Sequence, residues 1–582
     1  MEYKNENRIC QNCKNNFVIE PEDFNFYEKM QVPPPTFCPE CRMQRRMAWR
    51  NERSFYHTKC AFSEKDLISG FSPESKIIVY DRDIWWSDKW DPMSYGVEYD
   101  FTKTFFSQFS ELLHRTPMPA VFNARTINSA YSQHTGDFKN GYLIFASWGG
   151  ENVSYGARSL NVKDSMDIFA ISECELCYEL VSAKKCYRVL FSENIEECNN
   201  SAFLYECRGC SDCFGCTNLR SKSYYIFNQP YSREAYLEKM KEFNLKDITQ
   251  LKKIQKDFEE LKKKTIRKYA NITNAPMSTG DNITNSYNCK DCFDIYGEVK
   301  NARFVQNTAK GLRDTYDGYG AGAEAELLYE VFDTGVQGAK LCFVGVVYGG
   351  HDVYYSYNCH GSQDCFGCIG LRQKQYCILN KQYTKEEYNE LLLKVIEHMN
   401  SMPYVDKKKR VYKYGEFFPV ELSPFYYNET IATEFLPLNK TEVENLGFKW
   451  KENSTRDYKI EIENKDIPQN IDMVDESIIG RAISCLHAAK CNEQCTEAFK
   501  IVPTELQFYK KMNLALPRLC PNCRHYHRLK QRNPLKLWHR KCMCDKKHPN
   551  HTGKCDVEFE TSYAPDRPEI VYCEKCYQQE VY

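Results

Sequence analysis

The 582-residue sequence predicts a mainly β protein with α-helices, in which a metal-binding module at each end flanks a duplicated, short-period β-solenoid joined by helices. Three observations predict it. Paired cysteines recur at both ends in one register. A stretch from the middle of the chain repeats at an offset of 152 residues. Within each middle copy, aromatic residues return every 11–14 residues or multiples of that.

The ends come first. Cys10-x-x-Cys13 and Cys38-Pro-Glu-Cys41 stand near the start; Cys491-x-x-x-Cys495 and Cys520-Pro-Asn-Cys523 stand near the end. Subtracting 482 lays Cys495 on Cys13, Phe499 on Phe17, Pro503 on Pro21, Pro517 on Pro35, Arg524 on Arg42, Arg528 on Arg46 and Cys542 on Cys60, while Cys491 falls one residue early. Four thiolates in two close pairs suit tetrahedral zinc, each pair forming a tight knuckle. Both ends therefore read as zinc ribbons of treble-clef-like type. Subtracting 492 matches Ile570-Val571-Tyr572 to Ile78-Val79-Tyr80 and reveals a second ribbon at the C-terminal end. Its later knuckle is Cys573-x-x-Cys576. Its earlier ligands come from Cys542, Cys544 and Cys555, with His548 and His551 as outside candidates. The N-terminal twin keeps the strand but has Asp81 and Ile84 at the knuckle. It should be metal-free and packed on Trp85, Trp86 and Trp90. About three zinc ions per chain are expected, at four ligands each.

The segment CQNCKNNFVIEPEDFNFYEKMQVPPPTFCPECR resembles the zinc-ribbon domain of many uncharacterised bacterial proteins: C-x-x-C, an aromatic, an FY-like pair, a proline, then C-x-x-C-R. The whole arrangement is similar to large uncharacterised zinc-ribbon proteins of uncultured bacteria and giant viruses. Such chains sometimes carry a CaiB/BaiF label, which denotes a CoA-transferase family; no residues for that chemistry are visible. The resemblance implies zinc and little about activity.

In the middle, residues 211–236 and 363–388 share Asp212, Cys213, Phe214, Gly215, Cys216, Arg220, Tyr224 and Asn228 with their counterparts 152 residues on. Short strands separated by Gly, Asn and Asp fit a β-solenoid, each rung one strand and one turn. Central cysteines then serve as small inward apolar side chains. Cys207, Cys210, Cys213 and Cys216, spaced by threes, also have the form of an iron–sulfur motif, but the second copy does not reproduce the quartet. Helices are expected after each copy, capped by Ser232 and by Thr384 with Glu387, and over residues 250–270. The predicted division is ribbon 1–60, degenerate ribbon and aromatic cap 61–125, solenoid 126–230, helical connector 231–275, solenoid 276–380, helix and extended segment 381–440, linker 441–480, and ribbons 481–541 and 542–582.

Thirty cysteines, a polar start without a secretory signal and no apolar run near the ~18 residues of a membrane span point to a reducing, cytoplasmic setting. A net charge of −1 argues against a general polyanion coat. No phosphate loop, G-x-S-x-G elbow or H-E-x-x-H is present, and four-thiolate zinc lacks an open position, so a non-enzymatic role is expected. Basic stretches follow both Cys-Pro-x-Cys knuckles, where treble-clef-like folds commonly place a helix that would put Arg42, Arg45, Arg46 and Arg53 on roughly one side. Arg42, Arg45, Arg46, Arg50 and Arg53, with Arg524, Arg528, Lys530 and Arg532, stand beside Trp49, Tyr56, Tyr526 and Trp538. That combination suits phosphate contact plus base stacking, so nucleic acid is the expected partner. The alternatives are that these arginines pack against the acidic remainder of the chain, and that the solenoid is a protein-binding scaffold.

Overall fold

The computed structural model describes residues 3–308, 310–452, 459–549 and 551–582. Two β-solenoids dominate it. A sheet of 10 strands runs from Asn123 to Pro230, and one of 13 strands from Ile272 to Gln382. Nearly all neighbours pair in parallel. Equivalent residues on successive rungs are 12 apart in the first solenoid and 11 to 13 apart in the second.

The rung differs from the expected strand and turn. Every third residue is left-handed: Asp164, Asp167, Ala170, Glu173, Leu176 and Glu179 all have positive φ, and the pattern continues along both solenoids. A twelve-residue rung is therefore four short sides of three residues, bent at each left-handed corner. Asn and Asp tolerate that corner best, and they stack there. Asn128 donates to Asn140, Asn140 to Asn152 and Asn152 to Asp164, at 3.0, 2.9 and 2.9 Å.

The residue after each corner points inward. Ile168, Ile171, Cys174, Cys177, Leu180, Ala183, Cys186 and Val189 are all buried at this position. Cys207, Cys210, Cys213 and Cys216 line one rung in the same way, each fully buried, rather than alternating between faces as paired strands would have them. Each sulfhydryl donates to the carbonyl two residues back, at 3.3–3.5 Å. Ser165 and Ser201 make the same bond at 2.7 Å. Ser201 Oγ also accepts from the Cys213 amide on the next rung at 3.0 Å. The narrow interior thus selects small side chains that can return a hydrogen bond to the backbone, and Cys, Ser and Thr all qualify.

Helices clad the outside. Arg233–Met240 starts at Ser232, and Lys385–Ser401 starts at Thr384 with the Glu387 capping box formed. Ile248–Lys264 buries Ile248, Leu251, Ile254 and Phe258 against Phe203 and Phe214 of the first solenoid. This helix stops short of residue 270, because Ile266–Lys268 turns into a strand paired with Ile570–Tyr572. The expected linker is packed rather than free: Val443 and Phe448 meet Met43 and Met47, and Ile467, Ile471 and Ile478 meet Leu506 and Tyr509. Residues 453–458 of that stretch lie outside the described residues.

The ends cross over. Phe26 and Tyr27 of the N-terminal ribbon pack on Tyr316 and Tyr329 of the second solenoid. Phe508 and Tyr509 of the C-terminal ribbon pack on Tyr178 of the first. Each outer strand also reaches the start of a solenoid: Val79–Tyr80 pairs with Met118–Pro119, as Ile570–Tyr572 pairs with Ile266–Lys268. The two halves of the chain thus make corresponding contacts, each ribbon on the solenoid of the other half.

Candidate metal centres and the arginine clasps

In the N-terminal ribbon a hairpin, Glu6–Ile9 with Asn16–Ile19, delivers Cys10 and Cys13 at its turn. The Cys10 amide donates to Asn15 O at 2.9 Å, and Lys14 takes the left-handed conformation the knuckle requires. Cys38 is the N-cap of helix Pro39–Met47, with Pro39 at its first position, and Cys41 lies one turn in. The four sulfurs all lie within 4.8 Å of one another. Asn12 Nδ2 donates to Cys41 Sγ at 3.3 Å. Cys10 is drawn well below the ordinary thiol range and Cys38 well above it, first through the hydrogen bond between the two. A proton shared in this way is what a cation would replace. The donor set, four thiols at tetrahedral spacing with helix amides behind the later pair, fits zinc.

The C-terminal ribbon corrects one predicted ligand. Cys485, Cys495, Cys520 and Cys523 converge within 4.8 Å, and Cys491 is outside that set. Strand pairing explains why. Ile483–Ser484 pairs with Ala498–Phe499, so the residue leaving the strand is Cys485, just as Cys10 leaves its own. The loop between the first two ligands is longer here, and the gapless offset of 482 hid that. Pairing with the equivalent Phe17 and Phe499 puts Ile483 in the place of Arg8 and Ser484 in that of Ile9, so the residues before the cysteine gave no matching signal. Cys491 Sγ stays 3.8 Å from Cys523 Sγ, in a second group of four with His487, Glu493 and Cys523.

The last module gathers Cys542, Cys555, Cys573 and Cys576. Cys544 leaves this set and joins His548, His551 and Cys576. The Cys573 amide donates to Cys542 Sγ at 3.2 Å. The N-terminal twin keeps that bond, from the Asp81 amide to Cys60 Sγ, also 3.2 Å. Among the described residues Cys60 belongs to no metal-binding group. It packs instead with Tyr80, Trp85 and Trp90, while Trp86 is 47 % exposed. The expected packing of this hairpin on the tryptophans holds for Trp85 and Trp90. The iron–sulfur form has no counterpart: Cys207, Cys210, Cys213 and Cys216 do not come within 4.8 Å as one set.

The arginines overturn the phosphate expectation at most of their positions. Arg42, Arg45, Arg46, Arg50, Arg524 and Arg528 are buried. Arg42 and Arg46 clasp Asp317 at 2.9 and 3.1 Å, and Arg45 reaches Glu330 at 2.7 Å and Glu416 at 2.9 Å. In the symmetric half Arg524 and Arg528 clasp Asp167 at 2.7 and 2.8 Å, and Arg528 reaches Glu179 at 3.2 Å. Arg50 pairs with Glu52 at 2.7 Å, Arg53 lies 3.7 Å from Glu434, and Arg532 binds Asp294. Lys530 alone of the nine is well exposed, beside Glu493. Arg42, Arg45 and Arg46 share one side of helix Pro39–Met47 as expected, and that side faces carboxylates of the solenoid instead of solvent; Arg53 lies beyond the end of the helix. Burial pushes Glu330 up to about 7 against the pull of Arg45 and Arg46, and pushes Glu179 up to about 7 against Arg528. Trp49 is buried beside Phe418, so it offers no stacking face.

A cleft of about 710 Å³ opens between the first solenoid, helix Ile248–Lys264 and the C-terminal ribbon. Lys252, Lys256, Lys263, Lys530 and Arg567 line it, with Glu193 and Glu259 among them. No described helix is long and apolar enough to cross a membrane.

No protein-family model matches the chain, and no curated protein matches it. One solved structure with some similarity is described as a "putative acetyltransferase" from Desulfovibrio desulfuricans G20. It is 12% identical over 50% of this chain and 75% of that one, with a TM-score of 0.10, and supports no argument about fold or activity.

Proposed function

We propose that this chain is a zinc-organised, non-catalytic binding scaffold, in which structural zinc in three four-thiolate sites holds ribbons that clasp the two solenoids together. One observation carries the reading. The arginines behind both four-cysteine knuckles are directed into buried carboxylates of the opposite solenoid, so the ribbons act on the molecule's own architecture. The long outer faces of the solenoids are then the surface offered to a protein partner. Elemental analysis of the purified chain tests the foundation: zinc at three or more equivalents is expected, and two or fewer, or iron in comparable amount, overturns it. Stripping zinc with a chelator should then raise hydrogen exchange at the ribbon–solenoid contacts, and an unchanged exchange map speaks against the clasp.

A second reading keeps the nucleic-acid partner at a different place. The open cleft, with Lys252 and Lys256 facing it, favours a polyanion there. Filter binding of structured RNA at two salt concentrations separates the readings. Binding that weakens steeply with salt and is lost in Lys252→Glu/Lys256→Glu favours the cleft; salt-insensitive or absent binding favours the protein scaffold.

A further inference from the structure

We propose that the last module is a two-metal site, in which Cys544, His548 and His551 bind a further zinc ion that shares the Cys576 thiolate with the ion held by Cys542, Cys555 and Cys573. The inference rests on the zinc reading of the three four-thiolate sets and adds a fourth ion to it. One potential ligand atom from each of Cys544, His548, His551 and Cys576 lies within 4.8 Å of the other three. These are two sulfurs and two imidazole nitrogens, a donor set of the kind that holds structural zinc.

The local geometry is built rather than incidental. His548 and His551 exchange both backbone hydrogen bonds, at 3.0 and 3.2 Å, and this sets their two rings together with centroids 5.2 Å apart. His551 Nδ1 lies 2.8 Å from the Gly553 carbonyl. That contact requires the proton on Nδ1 and leaves the Nε2 lone pair free, the usual way a ligating imidazole is oriented. Nε2 is 3.1 Å from Cys576 Sγ, so the lone pair already points at the shared sulfur. The His548 side chain is only 6% exposed, and its Nε2 finds no hydrogen bond. The Glu580 carboxylate sits 3.4 Å away, without the alignment of a hydrogen bond. A buried, unpartnered nitrogen is costly unless something coordinates it.

Charge favours a second ion as well. Four thiolates around one divalent ion leave a net negative centre, and a cation on the shared sulfur reduces it. The arrangement also accounts for the fifth cysteine, which a single tetrahedral site cannot use. In the N-terminal twin, which lacks the knuckle cysteines, the segment matching Cys544 to Cys555 has shrunk to a short turn between Lys59 and Asp66, so the ligands of both sites disappear together.

Metal counting on the full chain tests this. Plasma mass spectrometry of the purified protein should give four zinc ions per chain. The double variant His548→Ala/His551→Ala should lose one and keep three. Should that variant misfold, X-ray absorption of the unmodified zinc-loaded chain supplies the readout, since imidazole scattering at about 2.0–2.1 Å is absent from an all-sulfur protein at about 2.3 Å. Three ions in both proteins, or an all-sulfur spectrum, overturns the two-metal site and leaves the three four-thiolate sites standing. Two ions or fewer in the unmodified chain overturns both.

Discussion

The guanidinium of Arg46 shows what a residue can and cannot disclose. Its place on one side of a helix with Arg42 and Arg45 was legible from spacing. Its burial was not, because its partner Asp317 lies 271 residues away, as Asp167 lies 357 residues from Arg524. Truncating one side of such a pair leaves a buried charge without compensation, which costs about 3–5 kcal/mol. Arg46→Met and Arg528→Met should each lower the urea midpoint accordingly and leave zinc content unchanged; a midpoint equal to that of the parent would mean the clasp carries no load. His360 makes a second residue-scale case. It is buried against Trp85 and Trp86, and desolvation lowers its pKa to about 3, with Arg372 adding to this and Asp333 opposing it. The unfolded chain therefore binds a proton that the folded chain refuses between about pH 6.5 and 3. Stability contributed by this group is full above pH 6.5 and falls as pH falls through that window. His360→Asn should flatten that part of the stability–pH curve, and an unaltered slope would assign the acid sensitivity elsewhere.

At the scale of the element, the solenoid period was readable and the rung geometry was not. Aromatics recurring every 11–14 residues give the repeat, yet they sit on the outside, where clusters such as Phe191–Phe203 stack. The inward residues announce themselves by a period of three in Cys, Ser, Ala and branched aliphatics, from Ile168 to Leu219. That signal is weak because Cys and Ser carry no hydropathy contrast. It nevertheless fixes how the lumen responds to substitution. Cys213→Ser should be nearly neutral, since Ser201 on the rung below already makes the same bond. Cys213→Leu overfills a closed cross-section and should cost about 1–3 kcal/mol, readable by thermal unfolding. The paired hairpins give a sharper contrast. Trp85→Ala should destabilise by about 3–5 kcal/mol with no change in metal content. Cys573→Ser should release zinc and raise exchange at Ile266–Lys268, the strand that its module holds. Metal loss on Trp85→Ala would contradict the division of labour between the twins.

For the molecule as a whole, the sequence disclosed both duplications but not how the copies are wired. Offsets of 482 and 152 say that ends and middles repeat; they are silent on which ribbon meets which solenoid. The crossing has a direct test. A protease site inserted after Lys241 divides the chain into a ribbon with the first solenoid and a solenoid with the last two ribbons. Each fragment then holds the other's partner, through Arg42–Asp317 in one direction and Arg524–Asp167 in the other. The cleaved protein should co-elute on size exclusion in moderate salt, and separation into two peaks would show that the halves are joined by the connector alone.

The crossing also sets a timetable for synthesis. The N-terminal ribbon emerges first, but Asp317, the carboxylate that receives Arg42, is 275 residues further along the chain. At about 5–20 residues per second, that surface is completed on the order of tens of seconds later. Through this interval Met43, Met47, Trp49 and the four arginines destined for burial, Arg42, Arg45, Arg46 and Arg50, have no docking surface, in the presence of other nascent chains. The C-terminal ribbon meets no such delay, because the first solenoid is finished before it is made. One duplicated fold is thus exposed to unequal risk of early self-association, and the demand for chaperone cover falls on the end that is born first.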